Sequence, residues 1–178
     1  MKLSAKSLIA AIAIIALAGG FVATLASKDT APAVQFTSLK GEKIALDSLR
    51  GKVVLVNFWA TDCPGCVTEM PKLVQTYQKY KDHGLATVAV AMDYDPPNYV
   101  LAYAEKNALP FPVALDPSGN LAKAFKDVKL IPTTFVIDKQ GRILQRIVGE
   151  PDLPTLHALI EKELKSTGVA GWLTTQGA

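Results

Sequence analysis

The stretch that most limits what this chain can fold into is an apolar run, Val53-Val54-Leu55-Val56-Asn57-Phe58. It leads through Trp59-Ala60-Thr61-Asp62 into Cys63-Pro64-Gly65-Cys66, which holds the chain's 2 cysteines. A run so poor in polar residues is expected of a parallel strand covered on both faces. After the cysteines, Val67, Met70, Leu73, Val74 and Tyr77 recur at helical spacing. Pro64 suits a first helical turn, where no N–H is needed. A dithiol therefore opens a helix at the end of a buried strand. Residues three apart on a helical turn lie close enough to approach disulfide geometry. At a helix start, free N–H groups and the positive dipole end favour a thiolate and lower its pKa. The thiolate is the attacking species, so Cys63 is the expected nucleophile and Cys66 the resolving thiol.

Other uses of two such cysteines leave different traces. A structural zinc site needs four ligands, and the 2 histidines, His83 and His157, stand singly and far from ligand spacing. A purely structural disulfide would close a ring too small to constrain the unfolded chain much. Copper(I) is soft enough for two thiolates, which keeps a copper-binding or copper-delivery protein as an alternative. No third donor accompanies the motif, because Met70 and Met92 read as core. A thiol peroxidase needs Pro-x-x-x-Thr-x-x-Cys, but Val56 and Ala60 stand where that proline and threonine belong. The net charge of +3 comes from interspersed acids and bases, which is no nucleic-acid footprint.

The N-terminus carries a separate signal. Lys2 and Lys6 precede an uncharged stretch, Ser7 to Ser27, rich in Ala, Ile and Leu. At about twenty residues it is long enough to span a bilayer, whereas a cleaved leader has an apolar region of roughly 7–15. The expectation is an uncleaved anchor with its N-terminus in the cytoplasm, by the excess of lysine before the span. Small residues at Ala16-Leu17-Ala18 and Thr24-Leu25-Ala26 permit cleavage, so a secreted form is the alternative. The rest of the chain then lies outside the membrane, where disulfide chemistry persists. The expected organisation is anchor 1–28, tether 29–35, folded domain 36–166 and tail 167–178, the tail carrying Trp172 without a period.

Within the domain, runs from Val34 to Leu39 and from Lys43 to Leu46 flank Lys40-Gly41 and predict a hairpin. Asp47 to Gly51 predicts one helical turn. A strand over 53–58 and a helix from Pro64 to Lys81 follow, with a kink expected at Pro71. Then come a strand from Leu85 to Met92, a helix from Tyr99 to Asn107 and a short strand from Phe111 to Leu115. Ser118 is the candidate cap for a helix over Asn120–Phe125. Strands from Thr133 to Asp138 and Arg142 to Val148 join through Lys139-Gln140-Gly141. Leu156, Leu159, Ile160 and Leu164 form one face of a last helix, Pro154–Lys165. Buried strands alternating with helices imply an α/β sheet covered on both sides.

Three segments together resemble the membrane-anchored TlpA/ResA/CcmG-like thioredoxins. They are Val-Leu-Val-Asn-Phe-Trp-Ala-Thr-x-Cys-x-x-Cys-x-x-Glu-Met-Pro at 54–71, Phe-Pro-Val-x-Leu-Asp at 111–116, and Ile-Pro-Thr-Thr-Phe-Val-Ile-Asp-x-x-Gly-Arg-Ile at 131–143. The resemblance covers about residues 33–165. It implies a thioredoxin-like fold, a central mixed sheet with helices on both faces, an N-terminal β-hairpin extension and a transmembrane helix before it. It also implies a thiol–disulfide oxidoreductase that uses the Cys63–Cys66 disulfide and no further cofactor.

By the same resemblance Pro132 matches a cis-proline facing the disulfide. The Ile131 backbone would pair with an extended client segment, and Trp59, packed beside the cysteines, and Pro64, between them, would join Ile131 and Pro132 in the substrate-binding surface. Trp59 reads equally as filler at the strand end. Glu69 matches an acidic residue near the resolving thiol, and its helical spacing sets it on the face of Cys66. There it would pass protons to and from that thiol; the plainer reading is an exposed glutamate favoured by the helix dipole. Asn57 stands where cytosolic thioredoxins carry a buried aspartate. Asp62 departs from the family, which usually has an aromatic there, and its charge would oppose a thiolate on Cys63. Implied partners are disulfide-bearing clients such as apocytochrome c or copper-site cysteines, and a membrane thiol–disulfide electron donor. The implied location is the outer face of a bacterial cytoplasmic membrane, reached through the N-terminal helix.

Overall fold

A computed structural model describes residues 29–166, and a compact unit begins at Ala31. The expected anchor at 1–28 and the tail at 167–178 lie outside the described residues. Among the described residues no helix is long and apolar enough to cross a membrane.

The elements follow the predicted order. Strands β1 (Gln35–Thr37) and β2 (Lys43–Ala45) form an antiparallel hairpin. At its turn Gly41 has φ +80°, and the Ser38 hydroxyl accepts from the N–H groups of Lys40 and Glu42. The next helical turn is a 3₁₀ turn, Leu46–Leu49. Then come β3 (Val53–Trp59), α1 (Pro64–Tyr80), β4 (Leu85–Ala91), α2 (Pro97–Lys106), β5 (Val113–Leu115), α3 (Asn120–Ala124), β6 (Thr133–Ile137), β7 (Ile143–Val148) and α4 (Leu153–Lys165).

The five long-range strands form one sheet in the order β5-β4-β3-β6-β7. The β3, β4 and β5 strands are mutually parallel, while β6 runs antiparallel to β3 and β7 antiparallel to β6. The sheet is therefore mixed, as expected. Its centre, β3, is buried at every position. Alternate residues of β3 serve opposite faces. Val53, Leu55 and Trp59 join a core with Met70 and Leu73 of α1, Val100 of α2, and Leu156 and Ile160 of α4. Val54, Val56 and Phe58 join another core with Phe36 of the hairpin, Leu46, Ala122 of α3 and Phe125.

One local expectation is corrected. Ser118 does not cap α3. Gly119 occupies the cap position at φ +68°, and the buried Asp116 carboxylate accepts from the N–H groups of Leu121 (3.1 Å) and Ala122 (2.8 Å). A carboxylate reaching two free donors serves the helix start better than a hydroxyl. Helix α1 includes Pro71 in its interior, where the ring has no N–H to offer the Val67 carbonyl.

At the base of the sheet, the β6–β7 turn carries Gly141 at φ +75°. Its carbonyl accepts from the Ala31 N–H (2.9 Å), so the entering chain docks on that turn. Lys139 of the same turn donates to two carbonyls at the end of α4, that of Leu164 (2.7 Å) and that of Ser166 just past the helix (2.9 Å).

Candidate active site

The site lies where β3 ends and α1 begins. Cys63 is the N-cap of α1, with extended backbone, and its Sγ accepts from the Cys66 N–H at 3.2 Å. Pro64 fills the first helical position. Cys63 and Cys66 form a disulfide, their Cα atoms 5.2 Å apart. Cys63 is half-buried and Cys66 only 1% exposed. Of the two sulfurs, Cys63 is therefore the one open to a visiting disulfide. When the bridge opens, the free N–H groups at the helix start favour the anionic form of Cys63.

The loop before the motif is fixed by a residue from another element. Asp95, buried after β4, accepts from the Thr61 N–H at 2.7 Å and from its hydroxyl at 2.6 Å. Asp62 is exposed, and it faces Tyr94 together with Asp93 and Asp95. Partial burial raises the Tyr94 phenol's pKa, and these negative charges raise it further.

The Ile131–Pro132 peptide bond is cis. Pro132 lies across from the dithiol: a β-carbon on Gly65 would sit 3.5 Å from its Cδ. The Pro132 carbonyl accepts from the Gly149 N–H (2.8 Å), whereas Ile131 makes no backbone hydrogen bond among the described residues. Ile131 thus presents a free edge of backbone beside the disulfide, flanked by Leu130, which is 65% exposed. Trp59 is fully buried against Tyr103, ring centroids 5.1 Å apart, in the core that holds Cys66. Its place is under the motif rather than on the surface.

Beneath Cys66 sits a polar cluster. Glu69 is 2% exposed, on the second turn of α1, so the reading of an exposed first-turn glutamate is wrong. Its Oε1 accepts from the Thr134 hydroxyl (3.1 Å) and from Asn57 Nδ2 (3.3 Å), and Asn57 also donates to Thr134 Oγ1 at 2.9 Å. Oε2 is buried with no hydrogen-bond partner among the described residues. Burial, the dominant cause, pushes the Glu69 carboxyl up to about 7; the Thr134 hydrogen bond and Lys72 oppose the rise and Glu150 adds to it. Lys72 and Glu150 pair with each other above it. A carboxyl poised there can both take and return a proton near neutral pH.

Sequence reasoning named Cys63, Cys66, Glu69, Trp59, Pro64, Ile131 and Pro132, and the structure brings all of them to one end of the sheet. It missed Thr134 and Asp95. Thr134 was findable only through strand pairing, since it stands directly opposite Asn57 in the β3–β6 register.

A parallel-centred sheet, a dithiol capping the helix after its middle strand and a cis-proline facing that dithiol define a thioredoxin-fold disulfide-exchange protein. The redoxin family's sequence profile matches residues 26–160, and the chain belongs to that family. It is a thiol–disulfide oxidoreductase. It is 38% identical over 132 residues to the thiol-disulfide oxidoreductase ResA of Bacillus thuringiensis subsp. konkukian, covering 74% of this chain and 75% of that one. The ResA of Geobacillus kaustophilus is 40% identical over 120 residues, covering 67% of this chain and 68% of that one. Among solved structures, a thioredoxin-family thiol:disulfide interchange protein from Chlorobium tepidum is 29% identical. It superposes with a TM-score of 0.71 and covers 78% of this chain and 98% of its own. StoA from Bacillus subtilis, 26% identical, does so with a TM-score of 0.62, covering 71% of this chain and 98% of that one.

Proposed function

We propose that this protein reduces disulfides in extracytoplasmic client proteins while tethered to the outer face of a bacterial cytoplasmic membrane by residues 1–28. The observation that carries the client-reducing reading is the free Ile131 backbone edge beside an accessible Cys63. An extended client segment can add to that edge as an extra strand and lay its own disulfide over Cys63. The apolar stretch from Ser7 to Ser27 after Lys2 and Lys6 supports the location.

In the reduced protein, the Cys63 thiolate attacks one client sulfur, and the other leaves as a thiol once protonated. Glu69 accepts the Cys66 proton, and the Cys66 thiolate attacks Cys63 Sγ. The second client sulfur departs, and Cys63–Cys66 is left oxidised. Two electrons pass from protein to client. A membrane-borne dithiol restores the reduced pair, because the cytosolic thiol pool lies across the bilayer. Haem-binding cysteines of an apocytochrome c and copper-site cysteines of an oxidase are the client types this reading favours.

The test is a trap. Cys66→Ser in the full chain leaves Cys63 unable to release its client, so dithiothreitol-sensitive adducts through Cys63 should accumulate in the producing cell. Tryptic mapping should identify paired client cysteines. A reduction potential of about −270 mV fits a reductant, and about −120 mV would make the protein an oxidant. Absence of any adduct would overturn the client-reducing reading.

A further inference from the structure

The two oxygens of Glu69 are not equivalent. Oε1 holds both available donors, the Asn57 amide and the Thr134 hydroxyl, while Oε2 is buried and bare among the described residues. A buried carboxylate oxygen without a partner is costly and calls for an explanation. The donors that could have satisfied it are instead tied to each other and to Oε1, because Asn57 also donates to Thr134 Oγ1 at 2.9 Å. They come from two strands paired in register, Asn57 opposite Thr134, so neither can turn toward Oε2 without breaking the sheet's cross-strand contact. Glu69 and Cys66 lie three residues apart on α1, both buried, which puts the carboxyl and the resolving thiol on one helix face.

We propose that Asn57 and Thr134 are positioning residues that occupy Oε1 of Glu69 and so reserve Oε2 as the single proton-exchange site for the Cys66 thiol. This rests on the role given to Glu69 under the proposed function and names what sets it. The step balances simply. The Cys66 S–H proton moves to Oε2, the S⁻ pair forms the bond to Cys63 Sγ, and the client thiolate leaves with the electron pair of the broken mixed disulfide. The proton then returns to solvent or to that thiolate.

Two charged groups bear on the carboxyl, Lys72 from α1 and Glu150 from the loop after β7, and Cys66 stands one turn before it on α1. Lys72 and Glu150 pair with each other, so their opposed effects partly cancel. The Thr134 hydrogen bond favours the carboxylate. Removing it leaves burial less opposed and moves the proton's release to higher pH.

The experiment uses reduced full-length protein and 5,5′-dithiobis(2-nitrobenzoate), whose yellow thiolate is released in two phases, first by Cys63 attack and then by Cys66 resolution. Both rates are followed from pH 5 to 9. Thr134→Val should shift the midpoint of the second phase upward by about one pH unit, the scale of a lost charge-assisted hydrogen bond. The first phase should be unmoved, and Thr134→Ser, which keeps the hydroxyl, should retain the wild-type midpoint. Asn57→Leu should shift it in the same direction. Glu69→Gln should flatten the second phase's pH dependence. If Glu69→Gln leaves that dependence intact, the carboxyl's role itself fails. If it flattens the dependence but Thr134→Val and Asn57→Leu leave the midpoint in place, or shift both phases equally, the positioning proposal alone is overturned.

Discussion

The two faces of the central sheet are built from the same strand and serve opposite ends. Behind β3, Phe58 meets Phe125 and Phe135 at ring separations of 5.4 and 6.0 Å, and Phe125 reaches Phe36 at 6.4 Å and Phe135 at 5.0 Å. Edge-on and stacked rings of this kind add packing energy to a large apolar burial. In front, beneath α1, lie Asn57, Glu69 and Thr134, with Trp59 Nε1, Glu69 Oε2 and Thr87 Oγ1 buried and without a hydrogen-bond partner among the described residues. The rear face supplies stability. The front face gives some of it up to bury a carboxyl on the helix that carries Cys66. Such local conflict with ideal packing is expected where chemistry is done.

The comparison can be broken from the rear. Phe125→Ala removes a ring that touches three others, and truncations of this kind cost about 3–5 kcal/mol. Denaturant unfolding should show that loss, while disulfide turnover per folded molecule stays at the wild-type level. Loss of turnover in the folded fraction would mean the two faces are not separable.

From the front, Glu69→Gln should do the reverse. A carboxyl whose folded pKa is raised from 4.5 to about 7 binds more protons folded than unfolded between those values. Its stabilising contribution is complete below pH 4.5 and is lost as pH rises through about 7. At pH 8 the wild type should therefore be less stable than the glutamine variant by up to about 3 kcal/mol, a gap that closes toward pH 4. Thermal unfolding across that range checks the sign, and slower resolution by Cys66 should accompany the gain.

The smallest effect sharpens the contrast. Thr87→Val deletes an orphaned buried hydroxyl with little change of shape, and should stabilise by about 1 kcal/mol. No change in the pH dependence of either thiol is expected, because Thr87 bonds to none of the groups at the site. A slowed second phase would instead draw Thr87 into the proton path.

Much of this was legible beforehand. Unbroken apolar runs gave β3 and β4, and the spacing from Val67 to Tyr77 gave α1. Glu69 could be set on the face of Cys66 because helical neighbours are only three residues apart. What escaped were contacts that only the folded chain creates. Thr134 meets Glu69 across 65 positions, and Asp95 meets Thr61 across 34. Neither has a periodicity to betray it. The α3 cap was misjudged for a related reason: proximity favoured Ser118, while Asp116, further back, had the reach and the second oxygen.

The hydrogen bond from Ala31 to Gly141 has a mechanical meaning. The polypeptide comes in at one pole of the sheet, and the sulfurs occupy the other, seven residues of β3 away. At about 3.3 Å per residue that is a rigid boom of roughly 20 Å. A pull applied to the chain at Ala31 would therefore act on the pole remote from the sulfurs and pass no load through the bonds they make and break.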